Sequence, residues 1–208
     1  MGSIQVLALI PDSTRKRNGS GQGAGGPSIM DFLPREAANR LVGLREKVAS
    51  SARLPPAADM DPTERGRVEL LPAYLRFDGN MYRRIPRKAW EGRKEGVEVA
   101  IVSARYGLVL SGEPIRAYDF SMAENLPGLG PLHTWWRENG LPSLLAALIK
   151  AAGPKRVVDL LSIEYRKAVQ GYRDSLQMSV HTVDFPGLGR ASQPRRGEVV
   201  AALLEGKS

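Results

Sequence analysis

The sequence predicts an α/β fold, in which a mostly parallel, layered sheet carries helices on both of its faces. Three short runs of β-branched and aliphatic residues, at 4–10, 97–102 and 156–161, have the length and composition of buried strands. Longer segments with apolar residues on one helical face lie between them. Strands that alternate with helices favour a parallel sheet, because each crossover returns the chain to the same edge.

The first half of the chain begins with the strand at 4–10. The segment 34–51 is expected to be a helix, since a proline suits its first turn and its aliphatic residues recur on one face. A second helix is expected over 69–76. The glycine-rich segment at about 18–28 is expected to be a flexible loop. It spells GxGxxG, but no strand leads directly into that pattern, as a dinucleotide site would require.

The second half continues the alternation. The strand at 97–102 is followed by helices within 131–152, which a break near Asn139 and Gly140 divides. The strand at 156–161 leads into a short helix, a fourth strand is expected over 178–185, and a last helix over 196–204. A chain of 208 residues, 42% of them hydrophobic, can bury a sizeable core. We therefore expect one domain that spans residues 1–208.

The composition excludes several kinds of site and indicates a kind of partner. The chain has no cysteine, which excludes disulfides, thiolate metal sites and a cysteine nucleophile. Its two histidines, His133 and His181, are too few for a histidine-rich metal cage, and we interpret His133 as non-catalytic. We expect no metal and no cofactor. The net charge of +8 favours a polyanionic partner.

Nothing in the sequence predicts insertion into a membrane. No run of about 18 apolar residues is present, which a spanning helix would need. Residues 1–10 are apolar but lack the basic region and cleavage site of a signal peptide. We therefore expect a cytoplasmic protein.

Two carboxylates follow predicted strands, and ligands of such sheets bind beyond the carboxyl ends of the strands. Glu164 lies in a turn after the strand at 156–161, where it would act as nucleophile, general acid or acceptor for a sugar hydroxyl. The alternative is that Glu164 only complements the dipole of the following helix. Asp12 ends the first strand and would meet Glu164 across the sheet, so both are candidate catalytic residues.

Hydroxyl, aromatic and arginine side chains near the same strand ends form a candidate ligand site. Backbone N–H groups, a hydroxyl and an aromatic wall after the strand at 97–102 would cradle a ligand, although a tight turn with a buried tyrosine is the simpler alternative. An arginine nearby would bind phosphate or carboxylate. The candidate ligand-binding residues are Ser103, Tyr106, Gly107, Arg116, Tyr118, Ser162 and Tyr82.

Basic residues cluster in three places, and two of these clusters supply candidate contacts to nucleic acid. A basic run interleaved with Tyr82 and Trp90 suits single-stranded or distorted nucleic acid, while a solvated surface is the alternative. The third cluster is the turn at 15–17. The candidate nucleic-acid-binding residues are Arg83, Arg84, Arg87, Lys88, Arg195 and Arg196.

Several blocks of the sequence match, in order, the motifs of one known family. Residues 77–82 (FDGNMY) are similar to an F-x-G-D-V-Y block. Residues 103–108 (SARYGL), followed by PIRAY at 114–118, are similar to S-G-L-Y-G-L and a later P-Y-R-L-E-M. Residues 157–165 (VVDLLSIEY) are similar to V-V-N-L-A-S-x-E-Y, and Arg196-Gly197 to a late A-R-G helix.

The chain thus resembles the YaaA-like peroxide-stress family over about residues 4–12 and 72–202, as a shorter and divergent member. The resemblance implies a DNA-binding protein that protects against peroxide. Asp78 stands where many relatives carry lysine, and Asn80 where they carry aspartate. The lysine of their opening P-A-K-T motif has no aligned equivalent, although Lys16 lies nearby.

Two functions therefore stay open at this point. The first is a stress protein that binds nucleic acid. The second is an enzyme that acts on a nucleoside, nucleotide or base, for example by cleaving a glycosidic bond, with Glu164 as its catalytic carboxylate. In both cases the partner is nucleic acid or a nucleotide-like small molecule.

Overall fold

The structure is a computed structural model, and it describes residues 3–21, 27–55 and 69–207. Within these residues, five strands form the central sheet in the order β4-β3-β1-β8-β9. These strands are β1 (Val6–Pro11), β3 (Val97–Ser103), β4 (Gly107–Leu110), β8 (Arg156–Asp159) and β9 (Val180–Thr182). The neighbours of β1 and β8 are parallel, and β4 is antiparallel to β3. The predicted α/β fold with a mostly parallel sheet is confirmed.

Burial explains why these runs form strands. Every residue of β3 is buried, and so are five of the six residues of β1. A strand that is buried on both faces favours apolar residues at nearly every position, as in both strands. The exception within β3 is Glu98, whose buried carboxylate accepts from Arg93, Ser111 and the N–H of Val99. The strands observed where 156–161 and 178–185 were predicted are shorter than expected, because regular pairing between β8 and β9 covers only three residues of each strand, Val157–Asp159 and Val180–Thr182.

Seven helices accompany the sheet in the described part of the chain. Their bounds are α1 (Arg35–Ser51), α2 (Ala73–Arg76), α3 (Arg87–Glu91), α4 (Leu132–Glu138), α5 (Leu141–Ala152), α6 (Ile163–Ala168) and α7 (Ser192–Leu204). The predicted break within 131–152 is confirmed, since Gly140 adopts a φ of 96° between α4 and α5. α7 begins at Ser192, four residues earlier than predicted.

The predicted helix over 69–76 is wrong in its first half. Leu71–Pro72 forms the short strand β2, which pairs with β5 (Pro114–Ile115), and only the four residues of α2 are helical. Pro72 supplies no N–H group and has an extended backbone, so it begins the helix rather than continuing one. A further small hairpin joins β6 (Asn125–Leu126) to β7 (Gly130–Pro131).

Parallel strands bring their carboxyl ends to one edge of the sheet, and this edge positions the candidate site. Asp12 continues the ladder for one residue, since its N–H donates to the carbonyl of Val102 at 3.0 Å. On the other side, the N–H of Leu160 donates to the carbonyl of Leu9 at 2.9 Å. The chain segments that follow β1, β3 and β8 therefore emerge side by side.

Some predictions can be compared only with the residues that the structure describes. Part of the glycine-rich segment predicted as a loop, residues 22–26, lies outside them. Among the residues that are described, no helix is long and apolar enough to cross a membrane. The described side chains also contain no cluster of three or more acidic or histidine residues that would hold a metal ion.

Candidate functional site

A polar cleft of about 290 Å³ opens at the carboxyl edge of the sheet. The turn after β1, the segment 79–82 and the start of α6 form its walls. Its lining includes Asp12, Tyr82, Ser162, Glu164, Tyr165 and Gln193. Four of these, Asp12, Tyr82, Ser162 and Glu164, were predicted as site residues from the sequence. The structure thus places both candidate catalytic carboxylates in one cleft.

Asp12 forms the floor of the cleft and is held by three donors. The backbone N–H of Ala104 donates to Oδ2 at 2.8 Å, and the Tyr118 hydroxyl donates to the same oxygen. The Tyr165 hydroxyl donates to Oδ1. Only 6% of Asp12 is exposed, so these bonds replace the water that a carboxylate would otherwise bind.

The tyrosines around Asp12 are fixed as hydrogen-bond donors. Burial raises the pKa of Tyr165 and of Tyr118 well above the usual value, and the negative charge of Asp12 raises both further. Burial and Asp12 act in the same way on the pKa of Tyr82, whose hydroxyl donates to the carbonyl of Pro11 at 2.8 Å. All three phenols therefore keep their protons near neutral pH.

A buried network continues behind Asp12, away from the cleft. Because Tyr118 gives its proton to Asp12, the hydroxyl of Ser103 donates to Tyr118 Oη at 2.8 Å. Ser103 Oγ in turn accepts from the N–H of Tyr106 at 3.1 Å. The Tyr106 hydroxyl then accepts from the backbone N–H of Arg116 at 3.1 Å.

This network differs from the predicted ligand cradle. Ser103, Tyr106 and Tyr118 are each at most 5% exposed. Gly107 has a φ of 68° and lies against the ring of Trp136, which would collide with an added Cβ. None of the four lines the cleft, so their contacts hold Asp12 and the turn after β3 in place. The simpler alternative of a tight turn with a buried tyrosine describes this region.

Glu164 stands at the rim of the cleft, in the first turn of α6. Ser162 precedes the helix with an extended backbone, which turns the chain from the sheet edge into α6. The side chain of Glu164 is 35% exposed, and its carboxylate lies 3.0 Å from Lys167 Nζ. The Nε2 atom of His133, on α4, lies 3.4 Å from Glu164 Oε2. Sequence reasoning did not connect His133 with Glu164, because their proximity arises from the packing of α4 on α6.

Lys16 is a further polar group that sequence reasoning left without a role. Its Nζ lies 3.5 Å from the centre of the Tyr118 ring and donates to the carbonyl of Phe120 at 3.2 Å. Burial lowers the pKa of Lys16 to about 8, while the charges of Asp12, Asp119 and Glu124 oppose that shift. The basic turn after β1 was visible in the sequence. The direction of the Lys16 side chain was not, because it is fixed by an isolated β-bridge between the backbones of Lys16 and Phe77.

The wall opposite α6 is formed by the segment that carries Tyr82. An added Cβ on Gly79 would collide with Ser13 Oγ, so glycine permits this segment to approach the turn after β1. Tyr82 is 5% exposed and stacks against Trp90, with ring centres 6.5 Å apart. Its ring is therefore both part of the core and part of the cleft wall.

The predicted nucleic-acid-binding residues fall into two groups. Arg83, Arg84, Arg87, Lys88 and Arg195 are exposed, and three of them pair with nearby carboxylates: Arg83 with Asp78 at 2.7 Å, Arg87 with Glu91 at 2.6 Å and Arg195 with Glu198 at 2.8 Å. Arg196 differs from the prediction, because only 6% of it is exposed. It packs under the loop after β9 instead of facing solvent.

Comparison with known protein families gives a match over most of the chain. A sequence model of the family described as peroxide stress protein YaaA matches residues 28–204. No match was found among curated proteins. The matched region contains β3, β8, α6 and α7, and with them every cleft wall except the turn after β1. The chain belongs to the family of the peroxide stress protein YaaA.

Proposed function

We propose that this protein serves the peroxide-stress response by binding nucleic acid or a nucleotide-like ligand in the cleft at the carboxyl edge of its sheet. The observation that carries the proposal is the convergence of Asp12, Tyr165, Ser162 and Glu164 in one polar cleft at the strand ends. Ligands of parallel α/β sheets bind at this position. The cytoplasmic location expected from the sequence is part of the same proposal.

The size and chemistry of the cleft favour a base or a nucleoside as the bound group. A volume of about 290 Å³ lies at the lower end of the range for small-molecule sites. The walls combine two tyrosines with hydroxyl and carboxylate groups, which suit the flat faces and polar edges of a base. The exposed cation Arg84 lies two residues after Tyr82 and suits a phosphate of such a ligand.

The cleft is favoured over an extended basic groove because several surface cations already have partners. Arg83, Arg87 and Arg195 each contact a carboxylate, which reduces the attraction that they exert on a polyanion. Affinity that came from these arginines alone would be weak. A base held in the cleft, with phosphates on nearby cations, uses both features of the site.

A second candidate is an enzyme that cleaves a glycosidic bond, with Glu164 as the catalytic carboxylate. The observation that favours it is the difference between the two acids of the cleft. Asp12 is buried and bound by three donors, while Glu164 is accessible and has His133 and Lys167 beside it. Two carboxylates in different environments take different roles in acid–base chemistry. In this candidate Asp12 positions the site and Glu164 touches the substrate.

The test compares the wild-type protein with Glu164→Gln, and uses Glu138→Gln as a matched control. Glu138 is an exposed glutamate on α4, outside the cleft. Binding is measured by calorimetry against a panel of nucleosides, nucleotides and short single- and double-stranded oligonucleotides, and released base is measured by chromatography. We expect both variants to melt near the wild-type temperature, and only Glu164→Gln to change binding.

The outcomes separate the two candidates. If Glu164 is catalytic, Glu164→Gln lowers turnover by about 10²–10⁴-fold, while Glu138→Gln leaves it unchanged. If the wild type binds ligands of the panel but releases no base or sugar, the enzyme hypothesis is wrong and the hypothesis of a binding protein remains. If the wild type binds nothing in the panel at low salt, the proposed function is wrong.

A further inference from the structure

Two arginines and one aspartate form a cluster beside the cleft that the proposed site does not use. Asp184 lies just after β9 and bridges Arg166 on α6 and Arg196 on α7. Its Oδ2 lies 2.5 Å from Arg166 Nη1, and its Oδ1 lies 3.6 Å from Arg196 Nη2. The side chain of Asp184 is 51% exposed, whereas those of Arg166 and Arg196 are 26% and 7% exposed. A half-exposed carboxylate at the surface thus covers two guanidinium groups that are less exposed than it is.

Arg196 is a buried cation whose hydrogen-bonding capacity is only partly used. Its Nη1 donates to Ser192 Oγ at 2.6 Å, and its guanidinium lies 5.6 Å from the centre of the Phe185 ring. Within the described part of the chain, its buried Nε has no hydrogen-bond partner. The 3.6 Å separation from Asp184 is too long for a hydrogen bond. A buried arginine keeps its charge, so this group favours a closer and stronger anion.

Asp159 orients Arg166 so that its Nη1 faces Asp184, while its Nη2 lies 3.5 Å from the carbonyl oxygen of Val183. Its Nε donates to Asp159 Oδ1 at 3.3 Å. Asp159 also accepts from the Tyr172 hydroxyl at 3.0 Å and from Arg173, so it is fully engaged without Arg166. Three arginines therefore share two aspartates, which leaves an excess of positive charge in the cluster.

The cluster adjoins the cleft on two elements. Arg166 follows Tyr165, which lines the cleft, along α6. Gln193, another cleft residue, lies three positions before Arg196 on α7, so the two share one helix face. None of the three cluster residues lines the cleft itself, so a ligand held there would bring a phosphate to the cluster only by extending past Tyr165 and Gln193.

We propose that Arg166 and Arg196 form a binding site for the phosphate group of a ligand held in the cleft, and that Asp184 occupies this site until the phosphate displaces it. Two guanidinium groups match the oxygens of a phosphate, and a phosphate carries more charge and more acceptors than the carboxylate. The inference rests on the proposed function, and it makes the preferred ligand a phosphorylated one. The phosphate belongs either to a free nucleotide or to a nucleic-acid backbone.

The experiment measures binding of inorganic phosphate to the full chain by calorimetry, without any nucleoside. Asp184→Asn removes the competing charge and is expected to bind phosphate about tenfold more tightly than the wild type. Arg166→Gln is expected to weaken binding by a similar factor. Asp174→Asn, an exposed aspartate on the 3-10 helix Tyr172–Ser175, changes the net charge equally and is expected to leave binding unchanged.

Two outcomes would show that Arg166 and Arg196 do not form a phosphate site. If Asp184→Asn and Asp174→Asn tighten phosphate binding equally, only the net charge matters and the assigned site is wrong. If neither the wild type nor Asp184→Asn binds phosphate, the site is also wrong. The full test repeats the titrations with adenosine, adenosine 5′-monophosphate and a single-stranded oligonucleotide. If the wild type binds adenosine but the Asp184→Asn and Arg166→Gln variants do not change the affinity for phosphorylated ligands, only the phosphate site is wrong. If the wild type binds none of the three ligands, the proposed function is wrong.

Within these titrations, the two sources of phosphate give different patterns. If the phosphate belongs to a free nucleotide, Asp184→Asn increases the affinity for adenosine 5′-monophosphate and not for the oligonucleotide. If it belongs to a nucleic-acid backbone, Asp184→Asn increases the affinity for the oligonucleotide and not for adenosine 5′-monophosphate. Circular dichroism and melting curves of each variant establish that it is folded; Arg166 and Asp184 are chosen because both are partly exposed, whereas Arg196 is buried.

Discussion

Two tyrosines donate a hydrogen bond to Asp12, and replacing each in turn distinguishes the effect of Asp12 on protein stability from its effect on ligand binding. Tyr118→Phe and Tyr165→Phe each remove one hydroxyl hydrogen bond to the same buried carboxylate. Tyr165 lines the cleft, whereas Tyr118 lies behind it. The two variants are therefore a matched pair, with the same chemical change on the same acceptor and a different relation to the ligand.

The expected loss of stability follows from the number and type of donors. Asp12 keeps two of its three donors in either variant, and losing one hydrogen bond to a charged group costs about 1.5–3 kcal/mol. For a chain of this size that lowers the melting temperature by about 3–12 °C. Tyr118→Phe lies at the upper end of the range, because it also removes the acceptor of Ser103 Oγ.

Melting curves and ligand titrations of the two variants together test this reasoning. We expect both to lose stability, while only Tyr165→Phe weakens binding of the panel ligands. Tyr172→Phe, which removes a hydroxyl bond to the buried Asp159, serves as a control for loss of a tyrosine–carboxylate bond elsewhere. A Tyr118→Phe variant with unchanged stability, or equal binding losses in the two variants, would refute this division of the network.

Two further predictions concern charges around the cleft. Burial lowers the pKa of Lys16 to about 8, so the unfolded chain binds more protons than the folded chain between about pH 8 and 10.5. The folded chain therefore gains stability as the pH rises through this window, and this stability is lost as the pH falls through about 8. The free energy of unfolding of the wild type, measured relative to Lys16→Met, should rise by about 1–2 kcal/mol from pH 7.5 to 9.5, and a flat difference would contradict the buried position of Lys16. If exposed cations contact phosphates, the double variant Arg84→Gln/Lys88→Gln should reduce the slope of log affinity for duplex DNA against log salt by about 1.8. Arg83→Gln/Arg87→Gln removes the same charge from cations with carboxylate partners and should change the slope less, so equal changes would count against the role of those partners.

The fold was predictable because its strongest signals are local. The strands at 4–10 and 97–102 are almost entirely apolar, with Gln5 and Glu98 as their polar members, and such runs in parallel sheets are buried on both faces. The alternation of strands with helices predicted that the strands at 4–10, 97–102 and 156–161 lie side by side, and β1 pairs in parallel with both β3 and β8. The prediction for the segment 69–76 was wrong, since the pairing of Leu71 and Pro72 with Ile115 and Pro114 joins residues 44 and 42 positions apart and leaves no local periodicity.

The candidate site was predictable in part, for a different reason. Asp12 and Glu164 each follow a strand, so topology alone brings them to one edge. Ser103 and Tyr106 also follow a strand, yet their side chains turn inward, since the antiparallel β4 folds directly back over that turn. Whether a strand-end residue faces a cleft or the core is decided by the next element. The contact between His133 and Glu164 depends on helix packing in the same way.

The environments of the two cleft acids assign them different tasks. Asp12 accepts from Ala104 N–H, Tyr118 and Tyr165, so both oxygens are engaged and little capacity remains for a substrate. Its position ties β1 to the turn after β3 and to α6, which makes it the residue that sets the geometry of the cleft. Glu164 instead is 35% exposed at the rim of the cleft, beside the side chains of Lys167 and His133. We therefore propose that chemistry or recognition at this cleft depends on Glu164, while the contacts of Asp12 with its tyrosines hold the shape of the cleft.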